Sequence, residues 1–495
     1  MKKALPAAIA LAGSLGFAAA ANAVNVNHDG LGQALLYSYY TVEDGKDTYV
    51  NVTNTTDEVV AVKVRFVESM NSQEVLDFNL YLSPKDVWVG TIQADGNGAK
   101  LTTDDSTCTV PSIPENGVAF RNFQYQGTAY NSGKGGPQGV DRTRSGHLEV
   151  IQMGEVLDVS TTFAPASWAT HIAGTPANCG GLVKAWQSGG VWAKDADEGI
   201  RATMLTGGLY GSAVIIDVED GTELSYDAVA LASFRDSQKH SAPGTIFPNL
   251  NDADPEYSLP GDSTIHTPAS FRGVDAVSAV LQKAAIHNDY VTVSELSAVT
   301  DWVVTFPTKN FYTTWTPYLQ NGTVNWGATN PEPFTNVWTA AAGSNDVPGT
   351  ACESIGIVYY DREEQGTTPA DLDFSPQPPG PAGFALCWEA NVVGINGSSV
   401  LGGGYNHSNL NLEHDKGWMT FGFTGSRTVN WVDPQGNPNS RTFNRRITNT
   451  DGSYVEGLPA IGFSASQLVN GDVRDGVLSN YGGSTTHKAT TGIID

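Results

Sequence analysis

The stretch Asp47 to Ile92, DTYVNVTNTTDEVVAVKVRFVESMNSQEVLDFNLYLSPKDVWVGTI, decides the fold class. Val60, Val62, Val64 and Phe66 fall on one side of an extended chain, and Ala61, Lys63 and Arg65 on the other. That is the two-residue period of a strand with one wet face. Leu76, Phe78, Leu80 and Leu82 repeat it. Asn54-Thr55-Thr56-Asp57 and Asn71-Ser72 interrupt the pattern with short polar side chains that satisfy nearby backbone groups in turns. The reading is a β-meander of consecutive antiparallel strands. A meander with one apolar face needs a second sheet to cover it, so the expected architecture is an antiparallel β-sandwich.

Towards the amino end, Ala34 to Val42 supplies an apolar first strand. It is read as pairing within its own chain, the other reading being a strand donated to a neighbouring subunit. Upstream of it, Lys2 and Lys3 precede an apolar run through Phe17 and the small-residue site Ala21-Asn22-Ala23. These are the charged, apolar and cleavage regions of a secretory signal peptide spanning residues 1–23. No later stretch has the ~18 continuous apolar residues of a membrane helix. An exported product is expected, at the cell surface or in the medium, with the periplasm as the other destination.

Downstream, the pattern dissolves into a loop from Asp95 to Gly117 and returns as a strand from Arg144 to Leu157. His147, at the start of that strand, reads as a surface or capping group. Ser212 to Val218 is a short buried strand ending in the turn Glu219-Asp220-Gly221, and Tyr226 to Phe234 fits strand or helix equally. After the irregular stretch Ser241 to Asp262, the helical spacing of Val274, Val277, Val280, Leu281, Ala284 and Ala285 predicts a helix near residues 272–288, ending around His287-Asn288-Asp289. Trp302 to Phe306, Ile355 to Tyr360, Leu386 to Val393, Gly417 to Phe423 and Gly457 to Gln467 read as further apolar runs, mostly strands. The expected division is a sandwich over residues 24–170, a mixed loop-rich region over 171–300 and a C-terminal β-rich region over 301–495.

Among the 495 residues, 52 acidic side chains against 27 basic ones give a net charge of −25. Nucleic acid is a poor partner for such a chain, because phosphate binding needs a basic stripe and none is present. Cys108, Cys179, Cys352 and Cys387 allow three pairings. Cys108 with Cys179 and Cys352 with Cys387 is preferred, since neighbours along a chain tend to share a domain. None has CxxC spacing, so structural staples are expected rather than redox or zinc chemistry.

No catalytic motif stands out. Gly462-Phe463-Ser464-Ala465-Ser466 departs from the nucleophile-elbow pattern at its last residue and reads as strand. Asp252, Asp254 and Glu256, and separately Asp195 and Asp197, place hard oxygen ligands at alternate positions. They are weak calcium candidates, without the length, spaced glycine and distal Glu of an EF-hand loop. His407 with Glu413-His414-Asp415 lacks zinc-site spacing. Trp88, Trp302 and Trp388 sit among apolar neighbours and read as packing residues, not as sugar platforms.

Several stretches, including QALLYSYYTV at Gln33 to Val42, the run Ala61 to Trp88, TDWVVTFPTKNFY at Thr300 to Tyr312, GLPAIGF at Gly457 to Phe463 and NYGGSTTHK at Asn480 to Lys488, resemble an uncharacterised family of secreted bacterial cell-surface proteins. The first segments are similar to immunoglobulin-like domains of surface and adhesive proteins, a likeness of fold that says little about function. The resemblance implies no catalytic residues. The expected function is a non-enzymatic exported surface or extracellular structural protein, partnered by itself or by other surface or matrix components. The alternative is a secreted carbohydrate-binding protein or polysaccharide-active hydrolase.

Overall fold

Alternating apolar residues in the two hundred or so residues after Ala23 place strands in two facing layers. The computed structural model describes residues 23–127, 136–204, 207–262, 264–314, 319–320, 323–338, 349–367, 383–433, 435–474 and 477–494. The expected signal peptide lies outside the described residues except for Ala23, and so does most of the proline-rich stretch between Thr367 and Gly383. The first sandwich is built from β1 (Ala34–Thr41), β2 (Lys46–Asn54), β3 (Val59–Glu68), β4 (Glu74–Leu82), β5 (Val87–Asp95), β6 (Gly98–Thr102), β7 (Cys108–Val110), β8 (Ser145–Val156), β9 (Ser212–Asp217), β10 (Thr222–Asp227) and β11 (Val229–Ala232). The first sheet runs β11-β1-β8-β3-β4-β7, with Asn25–Val26 on its β11 edge and Ile200–Arg201 on β8. The second runs β10-β9-β2-β5-β6, with Val118–Ala119 beyond β6 and Leu209–Tyr210 on β2.

The chain is therefore a sandwich without being a meander. β3 and β4 form a hairpin, Val62 opposite Leu80 and Val64 opposite Phe78. β2 instead pairs with β5 in the other sheet, Val52 opposite Trp88. The turn at residues 55–58 crosses between layers. Val50, Val52, Trp88 and Ile92 from one sheet meet Val60, Val62, Val64 and Phe66 from the other in one buried core. The expected loop after Asp95 is partly strand, because β6 folds back on β5 with Ile92 opposite Leu101.

The wet face expected of β3 is dry. β3 lies inside its sheet, between β8 and β4, and its second face is covered by the irregular segment after Phe234. Lys63 donates to the Ala242 carbonyl at 3.1 Å and Asn79 to the Ser241 carbonyl at 2.8 Å. Lys63 pairs with Asp77 at 3.1 Å, and Arg65 with Glu74 at 2.9 Å and with Glu149. Charges taken out of water persist only when paired in this way. His147 is likewise no surface group: it is buried, and neither ring nitrogen has a hydrogen-bond partner.

The helices are short: α1 (Pro165–Ala169), α2 (Cys179–Trp186), α3 (Gly273–Leu281) and α4 (Asn310–Thr313). Asn178 caps α2, its side chain accepting from the Gly181 amide at 3.0 Å. The Cys108–Cys179 disulfide ties α2 to β7, and the second disulfide joins Cys352 to Cys387. α3 stops at Leu281, short of residue 288. Gln282 adopts extended backbone, and Ile286, Asn288 and Tyr290 then alternate inward as a strand. Every residue of α3 is buried. Its Ala276, Val277 and Val280 pack with Leu36 and Ile151 of the first sheet and with Ile447 and Val455 beyond it.

The second sandwich contains β12 (Ala285–Val291), β13 (Ala298–Thr305), β14 (Gly356–Asp361), β15 (Ala390–Ile395), β16 (His407–Leu410), β17 (Lys416–Gly422), β18 (Ile461–Arg474), β19 (Val477–Thr486) and β20 (Lys488–Thr490). The third sheet runs β16-β15-β13-β18-β19, its β15–β16 pair being parallel. The fourth runs β14-β17-β12-β20, with Gly366–Thr367 on the β14 edge. Trp302, Val304, Val393 and Ile395 of the third sheet meet Ile286, Met419 and Phe421 of the fourth. The opposite face of the third sheet, with Val303, Val392, Phe463 and Ala465, joins the core of the first sandwich. Tyr226 stacks on Phe463 at 4.6 Å across that junction. Strands from residues 171–300 thus serve both sandwiches, β9 to β11 the first and β12 and β13 the second. No helix among the described residues is long and apolar enough to cross a membrane.

Candidate functional site

Where the two sandwiches meet, a cleft of about 560 Å³ opens, within the range of small-molecule sites, roughly 300–1,000 Å³. Tyr226 and Val229 of the first sandwich form one wall; Leu281 at the end of α3, Ile286 on β12, and Ile461 and Phe463 on β18 form the other. Besides Tyr226, the ionisable groups at the cleft are His28, Asp227, Lys283, His487 and Lys488.

Lys283 is placed there by the early end of α3. Gln282 and Lys283 pair with Pro459 and Leu458 as a two-residue bridge, and Gln282 donates to the Gly457 carbonyl at 2.7 Å. Burial lowers the Lys283 pKa, and among the described residues no carboxylate offsets that desolvation. His487 is already committed: its Nε2 donates to the Val303 carbonyl at 2.9 Å and its Nδ1 accepts from Asn288 at 3.1 Å. That pairing fixes the neutral ring, and burial holds its pKa down to about 4. Tyr226 is fixed through the Tyr39 amide, which donates to its hydroxyl at 3.1 Å, and burial raises its pKa.

Two surface features stand apart from the cleft. On the outer face of the fourth sheet, Tyr360 and Trp418 are cross-strand neighbours with rings stacked at 5.0 Å, and Trp418 is 44% exposed. Asp289 lies opposite Trp418 on the adjacent strand. The second is a hairpin of Ser426–Val432 and Pro438–Asn444, whose strands pair only with each other among the described residues and half of whose residues are exposed. Val432 on it is 67% exposed.

Four of the five calcium candidates make local contacts. Asp252 caps its own turn, accepting from the Asn249 amide at 2.9 Å, and pairs with Lys239. Asp254 accepts from the Asp236 amide at 2.7 Å. Asp195 accepts from the Asp197 amide at 3.1 Å, and Asp197 from the His240 amide at 3.3 Å. Glu256 brings no further ligating side chains together: among the described residues no three His, Cys, Asp or Glu groups converge to hold a metal ion. The Nε2 of His407 lies 3.1 Å from the Ser398 carbonyl, and His414 lies against the Tyr359 ring. Trp88 and Trp302 are fully buried.

Buried ionisable groups elsewhere hold the fold. Glu68 pairs with Arg142 at 2.8 Å with both side chains excluded from solvent, and its carboxylate also accepts from the amides of Met70, Asn71 and Gln73. Lys309 donates to the Trp388 carbonyl at 3.1 Å beneath the Trp338 ring, and burial lowers its pKa to about 8. Burial raises neighbouring Glu389 to about 8, and one of its oxygens accepts from the Asn310 amide at 2.9 Å. His240 is a neutral link: Trp186 donates to the Tyr81 hydroxyl at 2.8 Å, which lies 2.9 Å from His240 Nε2.

Lys283 was hidden from sequence reasoning because the apolar spacing carries the helix through Ala285, which turns Lys283 into one more residue on a solvated face. The signal that could have found it is the change from helical to alternating spacing after Leu281. A scan against family models finds no match to this chain, and searches of curated proteins and of solved structures find none either.

Proposed function

We propose that this is an exported, non-enzymatic surface or extracellular structural protein that acts through its outer faces in assembly, adhesion or coating. The observation that carries this reading is the Ser426–Asn444 hairpin, whose outer edges pair with no other strand among the described residues and which bears the exposed Val432. Unpaired strand edges are templates for adding a further strand, from another copy or from a matrix component. Two disulfides suit an oxidising compartment, and the signal-like residues 1–23 and the resemblance to secreted surface proteins agree with export. The test is light scattering of the secreted protein over a wide concentration range, with pull-down on bacterial cells and matrix. Association is expected and should be lost in Val432→Lys; a protein that stays monomeric and binds neither would refute the reading.

A second reading, carbohydrate binding, is favoured by the stacked Tyr360–Trp418 pair, since an exposed indole face beside a carboxylate suits a pyranose ring. A glycan array read with the parent and Trp418→Ala would test it; equal signals from both would remove it.

A further inference from the structure

The inter-sandwich cleft combines three properties rarely found together in a chain of net charge −25. It has a small-molecule volume, about 560 Å³, with apolar walls from Val229, Leu281, Ile286, Ile461 and Phe463. It carries two lysines, Lys283 and Lys488, against one aspartate, Asp227, which inverts the local sign of the surface charge. His487 adds no cation, because its pairing with Val303 and Asn288 uses both ring nitrogens in the neutral form.

We propose that this cleft is a binding site for a small amphipathic anion, a carboxylate-headed molecule with an apolar body. Lys283 receives the head group and the walls on either side bury the tail. A partly buried ammonium without a counter-ion is costly, and a carboxylate at hydrogen-bond distance relieves that cost while the tail gains about 25 cal/mol for each Å² of apolar surface removed from water. The site is independent of the exposed hairpin and of the Trp418 face, so it stands whether or not the surface role holds. Both halves are needed: Tyr226 and Val229 come from the first sandwich, Lys283 and Phe463 from beyond it.

The experiment is titration calorimetry of the secreted protein with sodium decanoate, decanol and decyltrimethylammonium at pH 7. Decanoate is expected to bind at one site, at least tenfold more tightly than decanol, with no saturable binding of the cation. Lys283→Met keeps the side chain's length and should lose the preference for decanoate over decanol while its Tm stays at or above that of the parent. Val229→Trp fills the cleft without changing charge and should abolish binding of both. No decanoate binding, equal binding of acid and alcohol to the parent, or an unchanged preference in Lys283→Met would each overturn the proposal.

Discussion

At the residue scale, the molecule's stability rests on charges it has hidden. Arg142 neutralises Glu68 where neither reaches water, and its guanidinium lies 4.1 Å from the Tyr125 ring. Removing one member leaves the other buried and uncompensated, which costs about 3–5 kcal/mol. Arg142→Met should lower the unfolding free energy by that amount in urea melts, and adding Glu68→Gln should recover part of it. Three buried histidines set an acid limit. Burial holds His147 and His240 down to about 3 and His487 to about 4, against an ordinary value of 6.5. Between these values the unfolded chain binds the extra protons, so their contribution is full above about pH 6.5 and is lost as pH falls to about 4 for His487 and about 3 for His147 and His240, at up to about 1.4 kcal/mol per unit for each. Thermal melts from pH 7 to pH 5 should show a falling Tm, less steep in His147→Leu. Glu389 has the opposite sign: held up to about 8, it binds a proton that the unfolded chain releases near 4.5, so it weakens the fold as pH rises between the two. Glu389→Gln should therefore gain on the parent across that window.

At the element scale, the Cys108–Cys179 bridge closes 71 residues between β7 and α2. A loop of that length constrains the unfolded chain by roughly 4 kcal/mol. The double replacement Cys108→Ser with Cys179→Ser should lose about that much in denaturant melts and weaken the near-UV signal of the Trp186–Trp192 cluster, whose rings lie 5.5 Å apart. Alternation in β3 and β4 made the sandwich legible, and chain proximity made both disulfides legible. Lys63 and Arg65 misled, because alternation reports which face differs from the other and not whether the second is wet; the segment that covers them comes some 180 residues later. The β2–β5 pairing was hidden for a related reason: a turn of four residues serves a hairpin or a crossing between sheets equally well. His287 to Asp289 read as a helix end because Val274 to Leu281 sets a strong helical period just before them, and only the partners of β12, β17 and β20, decide for strand. Lys283 falls in that same misread junction, so the cleft was not legible at all.

At the scale of the whole molecule, the two sandwiches share a wall. Val303, Val392, Phe463 and Ala465 belong to the same buried cluster as Tyr39 and Val62. Gln467 reaches Thr222 at 2.7 Å, and Ser484 donates to the Ser225 carbonyl. Coupling of this kind makes unfolding one event, so calorimetry should record a single endotherm although there are two sandwiches. Phe463→Ala removes the ring on which Tyr226 stacks and should cost about 3–5 kcal/mol, broadening or splitting that endotherm.

The shared wall also bears on how the protein is made. Phe463 and Ala465 come more than 400 residues after Ala34, yet they close the flank of the strands that begin there. A polypeptide emerging amino end first carries an oily side on the first sandwich until β18 arrives. Products that lack β18 would keep that side bare, exposing apolar surface to proteolysis and aggregation.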